Sequence, residues 1–96
     1  MANINMNTAE VRKQARLLKE AYTQLINGTV KPIDEANQSM QSIWTGETAK
    51  LFLKYSEELK TNLKSNAEDI NQISQFLTEA ATAIEKADQQ AKAKIK

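Results

Sequence analysis

The chain contains neither cysteine nor histidine. Without thiols there is no disulfide framework and no thiolate to serve as nucleophile or metal ligand, and this leaves the compartment open because exported proteins can also lack cysteine. Without imidazole, the usual general base near neutral pH and the commonest metal ligand are missing. A nucleophile and base would have to be serine with lysine, or two carboxylates sharing a pocket. Glu57, Glu58, Glu68 and Asp69 read instead as exposed charges on a helix. Two glycines, Gly28 and Gly46, stand alone, so no glycine-rich phosphate loop exists. No clustered carboxylates suggest a calcium or magnesium site. No enzyme, cofactor or metal is expected.

Charge of one sign is also lacking. Thirteen basic residues face twelve acidic ones, for a formal net charge of +1, which gives no field for non-specific attraction to nucleic acid or an anionic membrane. The lysines at the end, Lys86, Lys92, Lys94 and Lys96, read as a solvated helix terminus whose cations complement the helix dipole. No run is long and apolar enough to cross a bilayer, and no stable membrane insertion is expected. The first residues, Met-Ala-Asn-Ile-Asn-Met-Asn, have no basic start and no continuous apolar core, so a classical signal peptide is not expected either. Synthesis in the cytoplasm follows, with any export depending on another kind of address.

What remains is helical periodicity. Asn7 reads as an N-cap, with Glu10 placed for a capping box. Val11, Ala15, Leu18, Tyr22, Leu25 and Thr29 step by four and three along one face, and Ile33, Ala36, Met40 and Ile43 resume the stepping. Asn27-Gly28 and Pro32 interrupt it, since proline removes an amide donor and disfavours helical geometry at Lys31. A kink or a full break is expected near 28–32, with one kinked helix over about 8–42 the favoured form. A turn over about 43–46 follows, holding the only tryptophan, Trp44, and Gly46, suited to positive φ.

From about 47 to 94 there is neither glycine nor proline. A second helix is expected there, its inward stripe reading Ala49, Phe52, Ser56, Leu59, Leu63, Asn66, Ile70, Ile73, Leu77, Ala80, Ile84, Ala87 and Ala91, a heptad pattern. Asn66 interrupts the stripe: buried, it would fix register; facing solvent, it would mean nothing. Leu17, Ile26, Val30, Leu51, Leu53, Tyr55 and Phe76 fall partly off the stripes. The expected fold is all-α, a single antiparallel hairpin with Trp44 at the bend. A chain of 96 residues has little room for a core, so Tyr55 and Phe76 are expected to help pair two hairpins into a four-helix-bundle dimer.

A chain of this length, with two long helices and Trp44-Thr45-Gly46 at the bend, resembles the WXG family of small ESAT-like proteins. The resemblance covers nearly the whole sequence and takes its specificity from the tripeptide's central position. Late in the second helix, Ile84, Asp88, Ala91 and Ile95 match the family's pattern of hydrophobic, acidic, weakly hydrophobic and hydrophobic positions; the same residues could simply extend the hairpin's core. One departure is clear. The tyrosine-based export signal of actinobacterial members is unmatched, because Tyr22 is followed at that spacing by Ile26 and Tyr55 by Leu59. The chain therefore looks like the Firmicutes branch, whose members often form homodimers.

The resemblance implies a non-enzymatic protein exported, folded and dimeric, by a type VII secretion system. Its partners would be a second copy or a related WXG- or LXG-type helical protein, together with an FtsK/SpoIIIE-type secretion ATPase. It would act as a secreted, virulence-associated effector or as a co-secreted partner. Trp44 and Gly46 would shape the hinge, and Ile84, Asp88, Ala91 and Ile95 would contribute to export recognition. Alternatives are a targeting chaperone for a larger LXG-type toxin and an intracellular coiled-coil adaptor.

Overall fold

A computed structural model describes residues 5–95. Helix α1 spans Thr8–Leu25, a π-helical turn spans Ile26–Val30, α2 spans Lys31–Ile43 and α3 spans Glu47–Ile95. The result is an all-α antiparallel hairpin, 75 Å long and 21 by 15 Å across. A helix of 49 residues rising about 1.5 Å each accounts for the long dimension.

Local chemistry sets the ends. The Asn7 side chain accepts a hydrogen bond from the Glu10 amide at 3.1 Å, satisfying one of the free donors of the first turn. The Glu10 carboxylate turns forward and accepts from Gln14. At the far end, Trp44 adopts an extended conformation, with φ −143° and ψ 121°, while its amide still bonds to the Met40 carbonyl. Gly46 takes φ +107°, and the Gly46 carbonyl accepts from Lys50 to open α3. Acidic Glu47 in the first turn of α3 and Lys92 and Lys94 in its last turn both suit the helix dipole.

The chain passes Gly28 and Pro32 without leaving the helix. A π-turn inserts one extra residue into the coil, and the Lys31 amide reaches back to the Ile26 carbonyl. That residue turns the face presented to α3, so that Val30 and Asn37 come inward beside Ile33 and Met40. The inward face of α1 runs through Ala15, Leu18, Tyr22 and Leu25, but beyond the turn it continues through Val30, Ile33, Asn37 and Met40. The expected Ala36 and Ile43 are exposed in consequence, and Val30, expected outside, is buried.

A phase correction also applies to α3. The alternate positions Ala49, Ser56, Leu63, Ile70, Leu77 and Ile84 lie on the seam as expected, but Phe52, Leu59, Asn66 and Ile73 are exposed. Their places are taken by the next residues along, Leu53, Lys60, Ala67 and Ser74, and Ala81 is buried beside the half-buried Ala80. The physical reason is size. Ala67, Ser74 and Ala81 let the backbone of α3 approach α1 closely, and Ser74 donates to the Ala15 carbonyl at 2.7 Å across the seam. Bulky Ile73 in that place would hold the helices apart. The α1 half of the hairpin therefore makes most of the contact with α3. Toward the tip the seam widens to admit Leu53 and Lys60.

This phase predicts opposite outcomes for neighbouring residues. Ala67→Leu forces extra volume into a fully buried position and should destabilise by about 1–3 kcal/mol. Glu68→Leu, one residue after it and exposed off both the seam and the outer face, should change stability by less than about 0.5 kcal/mol. Urea unfolding followed by circular dichroism at fixed protein concentration reads both; equal losses would contradict the seam.

Candidate functional site

Three features stand outside the packing that holds the hairpin together. The first is the hinge. The Trp44 ring is 39% exposed and tilts against Phe52, with centroids 5.6 Å apart and planes at 40°, a favoured aromatic geometry. Trp44 lies at the bend but is only partly covered, because extended backbone at the end of α2 leaves its ring beside Phe52. Beside it lies an open apolar hollow of about 200 Å³ lined by Met40, Trp44, Gly46, Ala49, Phe52 and Leu53, among others. The hollow exists because the wider seam near the tip leaves the helices apart.

The second is a strip on the outer face of α3. Phe52, Tyr55, Leu59, Ile73 and Phe76 are all exposed, with Tyr55 at 60% and Phe76 at 67%. Spacings of three and four place them on one side of the helix, interrupted at mid-length by exposed Asn62, Asn66 and Asp69. Phe52, expected to point inward, belongs to this strip. The one-residue phase correction moves Leu59 and Ile73 onto it as well. Apolar positions contiguous along a helix mark an interaction surface more often than scattered ones do.

The third is the free end of α3. Arg12 donates from Nη2 to Glu85 Oε1 at 2.7 Å and from Nε to Glu85 Oε2 at 3.2 Å, and Nη2 also reaches Thr82. From Lys86 to Lys94 every residue is exposed, so α3 projects beyond the start of α1 as a single helix. Ile84 sits half-buried at its base, and Asp88 and Ala91 are exposed along it. The side chain of Ile95 lies outside the described residues.

One polar layer crosses the seam between hinge and middle. Asn37, only 1% exposed, donates to Glu57 and accepts from Ser56. Lys60 Nζ lies 2.8 Å from Asp34 and 2.7 Å from Glu57. The seam's asparagine is thus Asn37, and Asn66, on the outer strip, has no part in it. Sequence reasoning missed the layer, although a lysine at seven-residue spacing between Leu53 and Ala67 was a visible signal. Lys60 holds the Glu57 carboxyl below its ordinary range, with Asn37 contributing. Arg12, then Thr8, does the same for Glu85. Hydrogen bonds to Asp34 and Glu57 raise the Lys60 ammonium.

Among the described residues no group of carboxylates could hold a metal ion, and no helix is long and apolar enough to cross a membrane. Every buried side-chain nitrogen or oxygen among them has a partner. What the arrangement presents to solvent is apolar surface at the hinge and along α3.

Two predictions follow from the glycines and the carboxylates. Gly46→Ala forces a side chain into positive φ and should cost about 1–3 kcal/mol. Gly28→Ala has helical backbone and open space at its Cβ and should stabilise by about 0.4–1 kcal/mol. Thermal unfolding of both variants checks the contrast. For pH, carboxyls depressed in the folded state contribute fully above the unfolded value near 4.5 and lose that contribution as pH falls through the lower folded value. The melting temperature should therefore hold from neutral pH down to about 4.5 and fall below it. Glu57→Gln should make that fall shallower.

The whole geometry has a counterpart among solved structures. The chain is similar to EsxA of Geobacillus thermodenitrificans, crystal form I, with 26% sequence identity, a TM-score of 0.75, and coverage of 93% of this chain and 98% of that one. No curated protein sequence gave a match. The family described as proteins of 100 residues with WXG matches residues 3–89, a span that includes the hinge, the polar layer and the outer strip. The chain, with Trp44-Thr45-Gly46 at the tip of an antiparallel helical hairpin, belongs to the WXG100 family of small ESAT-like proteins.

Proposed function

We propose that the protein is a non-enzymatic substrate of a type VII secretion system, exported folded as a homodimer of helical hairpins and acting outside the cell as an effector or beside a larger co-exported protein. The observation that carries this reading is the family match over residues 3–89. A hairpin whose bulky apolar residues lie outside its own seam supports the dimer: Phe52, Tyr55, Leu59, Ile73 and Phe76 form a strip that a second hairpin would cover. A second copy covers it without requiring any other gene product.

The projecting end of α3 supports an address for the FtsK/SpoIIIE-type ATPase. Asp88 and Ala91 lie on a single exposed helix, with Ile84 at its root and Ile95 one further turn along. An amphipathic helix free of its own hairpin can lay such positions into a groove. Because Asp88 makes no contribution to the seam, its role in recognition is separable from folding.

The test is the amount of protein in the culture medium of its native bacterium, with the secretion ATPase intact or inactivated and a cytoplasmic marker to control for lysis. ATPase-dependent appearance is expected. Asp88→Ala should accumulate in the cells while retaining the helicity and melting temperature of the parent. Retention of the parent protein in both strains would refute export, and equal secretion of Asp88→Ala would remove that residue from the address.

A further inference from the structure

The outer strip of α3 has a symmetry of its own. Its exposed positions are Phe52, Tyr55, Leu59 and Asn62 on the hinge side and Asn66, Asp69, Ile73 and Phe76 on the other. Each position on one side has a counterpart equally far from Lys64: Phe52 with Phe76, Tyr55 with Ile73, Leu59 with Asp69, and Asn62 with Asn66. Three of these four pairs are chemically matched, being aromatic with aromatic, apolar with apolar and amide with amide. Leu59 with Asp69 is the exception.

Such a pattern has a direct consequence for self-association. Two copies related by a two-fold axis present the same patch to each other, so residue i meets residue j and j meets i. If two α3 helices lie antiparallel with that axis at the level of Lys64, each matched pair comes face to face. The central amides can bond to each other, and the aromatic residues meet at both ends. A strip without this symmetry would place Phe76 against a polar position.

The same register carries the hinge of one copy along the far half of the other. Ala80 and Ala83, the next positions on the strip, come opposite Thr48 and Thr45. The strip is narrow where the hinge needs room. Phe76, the large aromatic residue just before those alanines, arrives at the level of Phe52, on the wall of the hollow beside Trp44. That hollow, about 200 Å³, is of the scale that admits an aromatic ring, since an apolar cavity of about 150 Å³ takes up benzene.

We propose that the hollow at the hairpin tip is the seat of Phe76 from a second copy, so that each copy completes the other's Trp44 hinge. The seating rests on the homodimer reading above and adds to it a register, an axis at Lys64 and an occupant. It gives Phe76, 67% exposed in the single chain, a specific destination. It also makes Trp44 a reporter, because the ring lines the site that Phe76 fills.

The absence of cysteine from the chain makes the test direct. Tyr55→Cys and Ile73→Cys proteins, mixed, allowed to exchange subunits and mildly oxidised, should give a cross-linked dimer. Neither alone should cross-link efficiently, since like positions would lie roughly 27 Å apart along the axis. Phe76→Ala should weaken the dimer at least tenfold by sedimentation and shift Trp44 emission to the red, while the helical circular dichroism of the chain persists. A dimer without the mixed cross-link, or with Trp44 emission unchanged in Phe76→Ala at equal dimer fraction, would overturn the seating and leave the homodimer standing. A monomer at every concentration would overturn both.

Discussion

The close approach of α3 to α1 is the constraint on which the rest depends. Alanine and serine at Ala67, Ser74 and Ala81 recur every seventh residue and bring the helices near enough for Ser74 to bond to the Ala15 carbonyl. Close approach through small side chains fixes orientation well but removes little apolar area from water, and burial scales with that area at about 25 cal/mol per Å². The seam is therefore a precise joint with a modest driving force. Its ends are secured by polar ties, Arg12 to Glu85 at one and the Asn37 layer nearer the hinge. The Arg12 and Glu85 side chains stay partly exposed, at 31% and 39%, so solvent screens that pair and it orients more than it stabilises.

Asn37 does a different job. An amide buried between helices and joined to Ser56 and Glu57 loses its partners if either helix slides by a turn. Such a group selects one register among several that an all-apolar seam would tolerate. The layer also explains why the helices separate toward the tip. Lys60 and Leu53 stand where Ser74 and Ala67 stand farther along, and their greater size opens the hollow into which Trp44 faces. Seam chemistry and hinge shape are thus one problem.

Much of this was legible in the sequence. The two long periodic segments, the bend at Trp44-Thr45-Gly46 and the uninterrupted second helix follow from spacing, from the lack of glycine and proline after Gly46, and from positive φ at Gly46. The helical phase was not. On α3 two stripes share the positions Ala49, Ser56, Leu63, Ile70 and Leu77, one completed by large residues such as Phe52 and Ile73 and the other by Ala67, Ser74 and Lys60. Hydropathy favours the first. Interhelical distance selects the second, and distance is a property of two helices together that one helix's pattern does not contain. In the first rod the error had another source: a π-turn adds a residue with no mark in hydropathy, and beyond Leu25 Val30 and Asn37 take the inward places expected of Thr29 and Ala36. The family resemblance held because chain length, two long helices and the central place of Trp44-Thr45-Gly46 do not depend on helical phase.

The same two phases divide large side chains from small ones. A self-sufficient pair of helices would place its largest apolar side chains in its own seam. Here the seam holds alanine, serine, asparagine and lysine among its aliphatic residues, while Trp44, Phe52, Tyr55, Leu59, Ile73 and Phe76 retain more than a third of their exposure. Truncating any of these would lighten the outer face without loosening the inner one. The division separates two properties that a single core would combine: small residues define the shape of the hairpin, and large ones leave apolar area on its outer face. Because the two sets of residues lie on different faces, the outer surface can be covered or uncovered without altering the register held by Asn37.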